Sequence, residues 1–405
     1  MDLILQRGLP HQQKAVDAVA GVFADVPLTQ TGGAYSYANP KFSLLDSRLA
    51  VNVAAVQAKY LREDERGRYS KPEGFLNLDV KMETGTGKTY VYAETIFRLH
   101  KLYRFNKFVI VVPTLPIKEG AKQFLSDPYV ARHFKDACGY GAEIELGVLE
   151  PQKAKKGRRY FPGAVRDFVE GTNLSGDKIY VLLTNMHLLT NAKLLKEEYD
   201  SEAIGCYRPF DALKKTRPIV IIDEPHRFSK GQQAFQAIEK ELAPPCIIRY
   251  GATFPDVTRG KGRNRATVKD YANLLYNLDA CDSFNQNLIK GIAKEHFEPP
   301  TKQDEKVKIA SIDANESVTF RLISAGKPPQ TFTLGKGDAL SVIRDEFGSL
   351  SVTGIGRGTV EFSNGQEKSS GEEFSVDIYS SSYQEQMMKL AIERHFQTER
   401  ENFMR

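Results

Sequence analysis

The residues best suited to chemistry lie in the glycine-rich segment Met82-Glu-Thr-Gly-Thr-Gly-Lys-Thr89. Bare glycine backbone lets consecutive N–H groups point into one concavity, which suits anionic oxygens. The Lys88 ammonium can reach the β and γ phosphates of a nucleoside triphosphate, and the Thr89 hydroxyl can ligate Mg²⁺. The generic phosphate-loop pattern starts with glycine, whereas this segment starts with Met82. The segment predicts a triphosphate site.

The elements that flank this segment must hold it in place. The run from Phe75 to Val80 is apolar at alternate positions and predicts a strand, and Tyr90 to Leu102 has a helical pattern. A helix that begins at the loop adds partial positive charge for the phosphates. A plain glycine-rich turn is the alternative, but Gly-Lys-Thr between a strand and a helix is a specific signal.

A second candidate site follows the apolar run Ile219-Val-Ile-Ile222, where the chain continues Asp223-Glu-Pro-His226. A carboxylate pair at the end of a buried strand is costly unless it meets a cation. Asp223 therefore suits Mg²⁺, held through a water, and Glu224 suits the general base that activates the attacking water. His226 either senses the nucleotide state or is an ordinary turn histidine.

Two further segments fit around such a nucleotide. Leu9-Pro-His-Gln12 precedes the phosphate loop, and the Gln12 amide can read adenine through a bidentate contact, or it can simply belong to a helix start. Tyr250-Gly-Ala-Thr253-Phe places a small loop after a strand, where Thr253 could contact His226.

Candidate nucleic-acid contacts are less specific. Thr114, Thr184 and Asn185 are small polar residues just after predicted strands, where hydroxyls and N–H groups suit a phosphate backbone. Basic stretches at 153–159 and 259–265 could track DNA, but a charge run can equally be a solvated loop.

The alternation of β-rich runs and helical patterns between residues 75 and 254 predicts the fold class. Near-continuous Val/Ile/Leu strands separated by helices indicate an α/β domain with a doubly wound parallel sheet, covered on both faces. Ligands of such domains bind at the carboxyl ends of the strands. Beyond the strand at 75–80, strands are predicted at 107–112, 178–183, 218–222 and 246–250.

The character of the chain changes after Phe254. We expect a loop over 256–269 and a helix over 271–297, then period-two alternation with a hairpin turn at Asn364-Gly365, which predicts a smaller antiparallel β-rich module. A helical pattern follows from Tyr383 to about Arg400. The predicted domains are 1–255, an ATP-binding RecA-like lobe; 256–305, a connecting loop and helix; 306–380, the β-rich module; and 381–405, a final helix.

Composition sets wider bounds. The chain has 405 residues, of which 41% are hydrophobic, as is ordinary for a globular protein. Its net charge of +5 permits a polyanionic partner without requiring one. Its four cysteines lie far apart and form no CxxC pair, as expected of thiols in a reducing compartment. No apolar run reaches the length of a membrane helix and no signal peptide is recognisable, so we expect a cytoplasmic protein.

Taken in order, METGTGKT, VVPT, DEPH and GAT resemble motifs I, Ia, II and III in the first RecA-like lobe of superfamily 2 helicases and translocases. Within that superfamily, METGTGKTY with DEPHRF and YGATF resembles the restriction (Res) subunit of type III restriction-modification enzymes. The core similarity covers roughly residues 5–255. The family usually has Ser or Thr first in the GAT-like motif, where this chain has Gly251.

The resemblance implies ATP and Mg²⁺ as ligands, DNA as a partner, and a methyltransferase (modification) subunit that carries S-adenosylmethionine. It implies inter-domain coupling by His226 with Thr253. The ATP contacts that it implies are Gln12, Thr84, Gly85, Thr86, Gly87, Lys88, Thr89, Asp223 and Glu224.

The same resemblance leads us to expect a second RecA-like lobe and a nuclease domain, and no pattern for either follows Tyr383. We therefore expect a truncated motor with weak turnover or none. Two alternatives remain: another superfamily 2 motor, such as a type I restriction motor, or a nucleotide- and DNA-binding module without turnover.

Overall fold

The structure is a computed structural model. It describes residues 5–30, 36–151, 160–172, 174, 176–190, 193–228, 233–259, 266–289, 305–348, 350–375 and 381–403. The chain forms two compact units, Met1–Gly291 and Ile292–Arg405.

A seven-stranded parallel sheet organises the first unit. In chain order the strands of this unit are β1 (Leu76–Met82), β2 (Lys107–Val112), β3 (Glu143–Val148), β4 (Lys178–Asn185), β5 (Ile219–Asp223), β6 (Cys246–Gly251), β7 (Asp256–Arg259), β8 (Ala266–Lys269) and β9 (Leu274–Leu278). The spatial order in the parallel sheet is β3-β4-β2-β5-β6-β1-β9, and β7 and β8 form a separate antiparallel hairpin.

Helices cover both faces of this sheet. Their bounds are α1 (Pro10–Gly21), α2 (Ser47–Tyr60), α3 (Lys88–Tyr103), α4 (Leu115–Ser126), α5 (Pro128–Arg132), α6 (Gly163–Glu170), α7 (Met186–Thr190), α8 (Pro209–Lys215), α9 (Gln233–Ala237) and α10 (Ala280–Asn285). Side chains of β2 alternate between the two cores, since Phe108 and Ile110 pack with α1–α3 while Val109 and Val111 pack with α6 and α8. Burial on both faces explains the continuous apolar strands. The predicted doubly wound α/β class is confirmed.

Two predictions about the region after residue 255 were wrong. The described part of the expected helix over 271–297 contains strand β9 and the short helix α10, and residues 290–297 lie outside the described residues. The expected loop over 256–269 contains strands β7 and β8, and its residues 260–265 lie outside the described residues. Leu274–Leu278 runs beside β1 at the edge of the sheet, with Leu275 fully buried, so sheet pairing decided its conformation. The sheet thus extends past the boundary predicted at residue 255. Strand β3 had not been predicted either; it is a half-exposed edge strand with a weak apolar signal.

The second unit is antiparallel, as its alternation predicted. Its elements are β10 (Glu305–Asp313), β11 (Ser317–Ser324), β12 (Gln330–Gly335), β13 (Val352–Ile355), β14 (Thr359–Phe362), β15 (Glu367–Ser369), β16 (Glu373–Ser375) and α11 (Ser381–Phe403). The strands form sheets of order β12-β11-β10-β16 and β13-β14-β15 around their own core. The predicted hairpin turn lies between β14 and β15, with Gly365 at φ +79°. Within the described ranges, no helix is long and apolar enough to cross a membrane.

Candidate nucleotide site

The glycine-rich segment joins β1 to α3, as its spacing predicted. Gly85 and Gly87 have φ values of +86° and +88°, a backbone region that favours glycine. A Cβ at Gly87 would also lie only 2.4 Å from Nε2 of Gln12. Helix α3 begins at Lys88, directly after this left-handed residue, so the helix N-terminus faces the loop. Thr84 and Gly85 are exposed, whereas Thr86 is buried.

The fold brings the phosphate loop and the acidic pair together. Strand β6 lies between β1 and β5, and because all the strands run parallel, the loop after β1 and the turn after β5 meet at one edge. There the Nζ atom of Lys88 lies 3.2 Å from Oε1 of Glu224. The Lys88 side chain is 9% exposed, and low exposure strengthens electrostatic attraction. Residues far apart in sequence therefore form one charged site.

Asp223 ends β5 in an environment that suits a cation. Its side chain is buried, and its Oδ1 atom has no hydrogen-bond partner. Burial, helped by the negative charge of Glu224, raises the pKa of the Asp223 carboxyl to about 6, and Lys88 opposes this rise. An unpartnered buried carboxylate oxygen is a fit for Mg²⁺, which takes oxygen ligands. Thr89, half-buried in the first turn of α3, is the other predicted ligand.

Glu224 has an unusual backbone. Its φ of +54° is rare for a residue other than glycine, and such strain is typical of functional turns. The N–H group of Glu224 donates to the carbonyl oxygen of Tyr250 on β6, at 2.9 Å. Its carboxylate lies between Lys88 and His226, because Nδ1 of His226 is 3.4 Å from Oε2. That Nδ1 atom forms no hydrogen bond, so the two side chains are close without being hydrogen-bonded.

Helix α1 supports the phosphate loop from the other side. Nε2 of Gln12 donates to the carbonyl oxygen of Thr86 at 3.4 Å, while its Oε1 atom is buried without a partner. His11 was not predicted as a site residue, yet its Nε2 lies 3.1 Å from the same carbonyl. Burial lowers the pKa of His11, which favours the neutral ring that donates here. Only its position beside Gln12 could have indicated this role.

The segment after β6 lies against the turn of Glu224. A Cβ at Gly251 would come within 2.4 Å of Cδ of Pro225, so the close packing of this turn requires glycine. This contact accounts for glycine at the position where the family usually has Ser or Thr. Thr253 is exposed, and the structure gives no hydrogen bond that joins it to His226 among the described contacts. Coupling between these two residues stays a prediction.

The predicted DNA contacts differ in exposure. Thr114 is exposed directly after β2, at the start of α4. Thr184 and Asn185 are buried at the end of β4, and Oδ1 of Asn185 accepts from the N–H of Leu188 at 2.9 Å. The Asn185 side chain thus has a structural role, because it binds the backbone of α7. The basic stretch 153–159 lies outside the described residues, as does 260–265 of the second one.

Comparison with known proteins places this chain in a family. Residues 8–256 match the family model for the type III restriction enzyme Res subunit. The chain belongs to that family. The StyLTI Res subunit of Salmonella typhimurium is 34% identical over 100% of this chain and 38% of its own length. The EcoP15I Res subunit of Escherichia coli is 36% identical over 98% of this chain and 39% of its own length.

The chain spans less than two fifths of these Res subunits, so it represents a part of what they contain. A solved structure of the type ISP restriction-modification enzyme LlaGI, a nuclease-deletion mutant with a DNA substrate mimic, covers 59% of this chain and 20% of its own, at 14% identity and a TM-score of 0.29. The residues that match the family model lie in the unit that contains the seven-stranded parallel sheet.

Sequence reasoning missed two charged residues inside this Res-family sheet. Arg249 on β6 and Asp79 on β1 are both fully buried and form an ion pair, with Nε 2.7 Å from Oδ1. A signal did exist for Arg249, because it interrupts the otherwise largely apolar strand β6. Asp79 gave a weaker signal, because polar residues also occupy positions 77 and 81 of β1. A buried charge needs a partner. The identity of the partner was not readable from the sequence.

Proposed function

We propose that this chain is the ATP-binding motor lobe of a type III restriction endonuclease. The observation that carries this proposal is the 3.2 Å contact between Lys88 and Glu224, beside the unpartnered carboxylate of Asp223. Together these residues supply a phosphate cradle, a cation ligand and a general base at one edge of the sheet. Family membership favours this function over a type I restriction motor.

The residues have distinct tasks in ATP hydrolysis. The backbone of residues 84–87 holds the phosphate oxygens, and Lys88 leaves Glu224 to pair with the β and γ phosphates. Glu224, then free of Lys88, accepts the proton of the attacking water. Gln12 binds adenine through its unpartnered Oε1, and His226 with Thr253 reports the nucleotide state.

Asp223 and Thr89 would hold Mg²⁺, which neutralises charge on the phosphate oxygens. Ionisation of Asp223, whose pKa is about 6, is favoured near neutral pH. The two residues lie at the ends of different elements, β5 and α3, that meet at this edge.

In the complete protein, hydrolysis would drive movement or communication along DNA and so support cleavage by a nuclease domain. The modification subunit, carrying S-adenosylmethionine, would recognise the DNA site, and a second RecA-like lobe would close over the γ-phosphate. Of the predicted DNA contacts, Thr114 has the exposure that a phosphate contact needs. The net charge of +5 suits this partner. We place this activity in the cytoplasm.

Affinity for a fluorescent ATP analogue with Mg²⁺ tests the site. We expect Lys88→Ala to weaken binding by about tenfold or more, because it removes a charge-assisted phosphate contact. Lys122→Ala, at a partly exposed lysine on α4, is the matched control and should bind normally. Unchanged affinity in Lys88→Ala would contradict nucleotide binding at this loop.

Turnover is tested separately, as ATP hydrolysis with and without duplex DNA. Glu224→Gln should keep the analogue bound but abolish any DNA-stimulated hydrolysis, since an amide cannot accept the proton. If the unsubstituted chain is no faster than Glu224→Gln, the motor role fails for this chain, and a nucleotide-binding module without turnover remains. A log K against log salt slope near zero would exclude a phosphate-tracking DNA surface.

A further inference from the structure

Arg249 lies at the centre of a buried charged network away from the proposed reacting groups. Its guanidinium holds Asp79 on the neighbouring strand in a two-pronged contact, with Nε 2.7 Å from Oδ1 and Nη2 3.1 Å from Oδ2. Both side chains are 0% exposed. Fork geometry of this kind fixes direction as well as distance. The contact ties β6 to β1, the strand that precedes the phosphate loop.

The same guanidinium also binds the segment between β8 and β9. Nη2 donates to the carbonyl oxygen of Asp270 at 2.6 Å, and Nη1 lies 3.3 Å from its Oδ2. Oδ2 of Asp79 accepts from the N–H of Ala272 at 2.6 Å. The network therefore joins β6, β1 and the segment between β8 and β9.

Stability alone is a poor reason for such a network. Removing three charges from water is costly, and apolar residues of similar volume often stabilise a fold as well or better. The neighbouring pairs in the β1–β6 register, Leu78 with Ile248 and Val80 with Tyr250, are already buried and largely apolar. The value of Arg249 thus lies in what it positions.

What it positions is the short segment that carries Thr253. This segment begins at Gly251, packed against Pro225 in the Glu224 turn. It ends at Phe254, whose ring lies 5.4 Å from Cζ of Arg249. The carbonyl of the next residue, Pro255, accepts from the N–H of Asp270 at 2.8 Å. One end is therefore held by the Glu224 turn and the other by the Arg249 network.

We propose that Arg249 is a positioning residue that holds the Thr253 segment on the phosphate-loop strand. Triphosphate binding at the loop then slows amide hydrogen exchange in this segment. The proposal rests on the ATP site proposed above. It separates two properties. The affinity for the triphosphate should not depend on Arg249, because Arg249 does not touch the phosphate loop. The change in amide exchange at residues 251–256 when the triphosphate binds should depend on Arg249. A merely structural arginine would affect both together, in proportion to the loss of stability.

Amide hydrogen exchange with and without a saturating non-hydrolysable ATP analogue and Mg²⁺ tests this on the full chain. In the unsubstituted protein the analogue should slow exchange at residues 251–256 by about fivefold or more. Arg249→Lys keeps the charge but loses the fork. We expect it to keep the dissociation constant within about threefold and to reduce the protection to less than about twofold.

Two further variants control for misfolding and for a general loss of stability. Asp270→Asn leaves the Arg249–Asp79 contacts in place and weakens the contact of Oδ2 with Nη1, so it should fold even if Arg249→Lys does not. It should also reduce the protection of residues 251–256. Val165→Ala, a core substitution on α6 that lies outside the network, matches a loss of thermal stability and should keep full protection.

The outcomes are separable. No analogue binding by the unsubstituted chain is a failure of the proposed function. Binding without any change in exchange at 251–256 overturns the positioning role, and so does normal protection in Arg249→Lys or Asp270→Asn. Equal loss of protection in Val165→Ala shows that stability alone is responsible and also overturns it.

Discussion

Pro225 and Gly251 form a matched pair at the nucleotide site. The proline follows the strained Glu224, and its ring occupies the space that a Cβ at residue 251 would need. The glycine and the proline, which lie on different motifs, are therefore explained together. A residue with a side chain at 251 requires a smaller residue at 225.

We predict that Gly251→Ser weakens ATP-analogue binding or lowers stability by about 1–3 kcal/mol, because the new Cβ overlaps the proline ring. Pro225→Ala alone should be milder. The double variant should recover most of the loss, as a double-mutant cycle with thermal melts and binding would show. Additive effects of the two substitutions would contradict direct packing as the reason.

Asp223 makes stability depend on pH. Its pKa of about 6 in the folded chain lies above the ordinary value of 3.8, since burial penalises the charged form. A raised pKa stabilises the fold fully only below pH 3.8, and this contribution is lost as the pH rises through about 6. Ionised Asp223 is thus a cost to the metal-free protein near neutral pH.

We predict that Asp223→Asn stabilises the metal-free chain by on the order of 3 kcal/mol at about pH 8. The gain should shrink towards about pH 5, where the folded wild-type protein keeps the carboxyl largely protonated. Thermal melts in a chelating buffer measure both. An equal gain at the two pH values would show that the titration of Asp223 is not its cause.

At the scale of elements, a single buried amide joins the segment before α2 to the sheet. Nδ2 of Asn39 donates to the carbonyls of Lys107 and Arg217, at 2.8 and 3.0 Å. Its Oδ1 accepts from the N–H groups of Asn106 and Lys107, at 2.7 and 2.9 Å. The amide thus satisfies backbone groups at the start of β2 and just before β5.

We predict that Asn39→Ala destabilises the first unit by about 3 kcal/mol, because three buried backbone groups and one half-buried carbonyl lose this partner. Asn52→Ala is the matched control: Asn52 is half-buried and donates to two carbonyls, of Val22 and Ala24, so about 1 kcal/mol is expected. Urea unfolding followed by circular dichroism compares them. Equal costs would mean that water replaces the Asn39 contacts.

The elements also show where sequence patterns fail. The strands at 107–112 and 246–250 were predicted almost to the residue, because runs of Val and Ile buried on both faces leave a strong signal. Edge strands β3 and β9 were missed. Each has one neighbour in the sheet, and β9 lies beside β1, almost two hundred residues earlier in the chain. A helix-like local pattern at 271–297 could not reveal that pairing.

At the scale of the whole molecule, each unit has a separate core. The cores of the first unit lie on the two faces of the parallel sheet, and that of the second unit lies among residues 307–374. Phe320 is fully buried in the latter. Separate cores imply that each unit can lose stability without the other.

We predict that Phe320→Ala costs the second unit about 3–5 kcal/mol, while ATP-analogue affinity changes by less than about twofold. Hydrogen exchange in residues 305–375 measures the first effect. Phe396→Ala, the same substitution at a side chain that is 61% exposed on α11, should change neither. Loss of nucleotide affinity in Phe320→Ala would show that the two units unfold together.

By itself, the sequence determined the phosphate loop, the acidic turn and the parallel α/β class. These features are local, since glycine spacing, a Lys-Thr pair and strand hydrophobicity act through neighbouring residues. Tertiary structure decided what those residues contact: Lys88 with Glu224, Gly251 with Pro225, and Arg249 with Asp79. The physical reason is that strand order sets these contacts, and strand order depends on how the whole sheet buries its two faces.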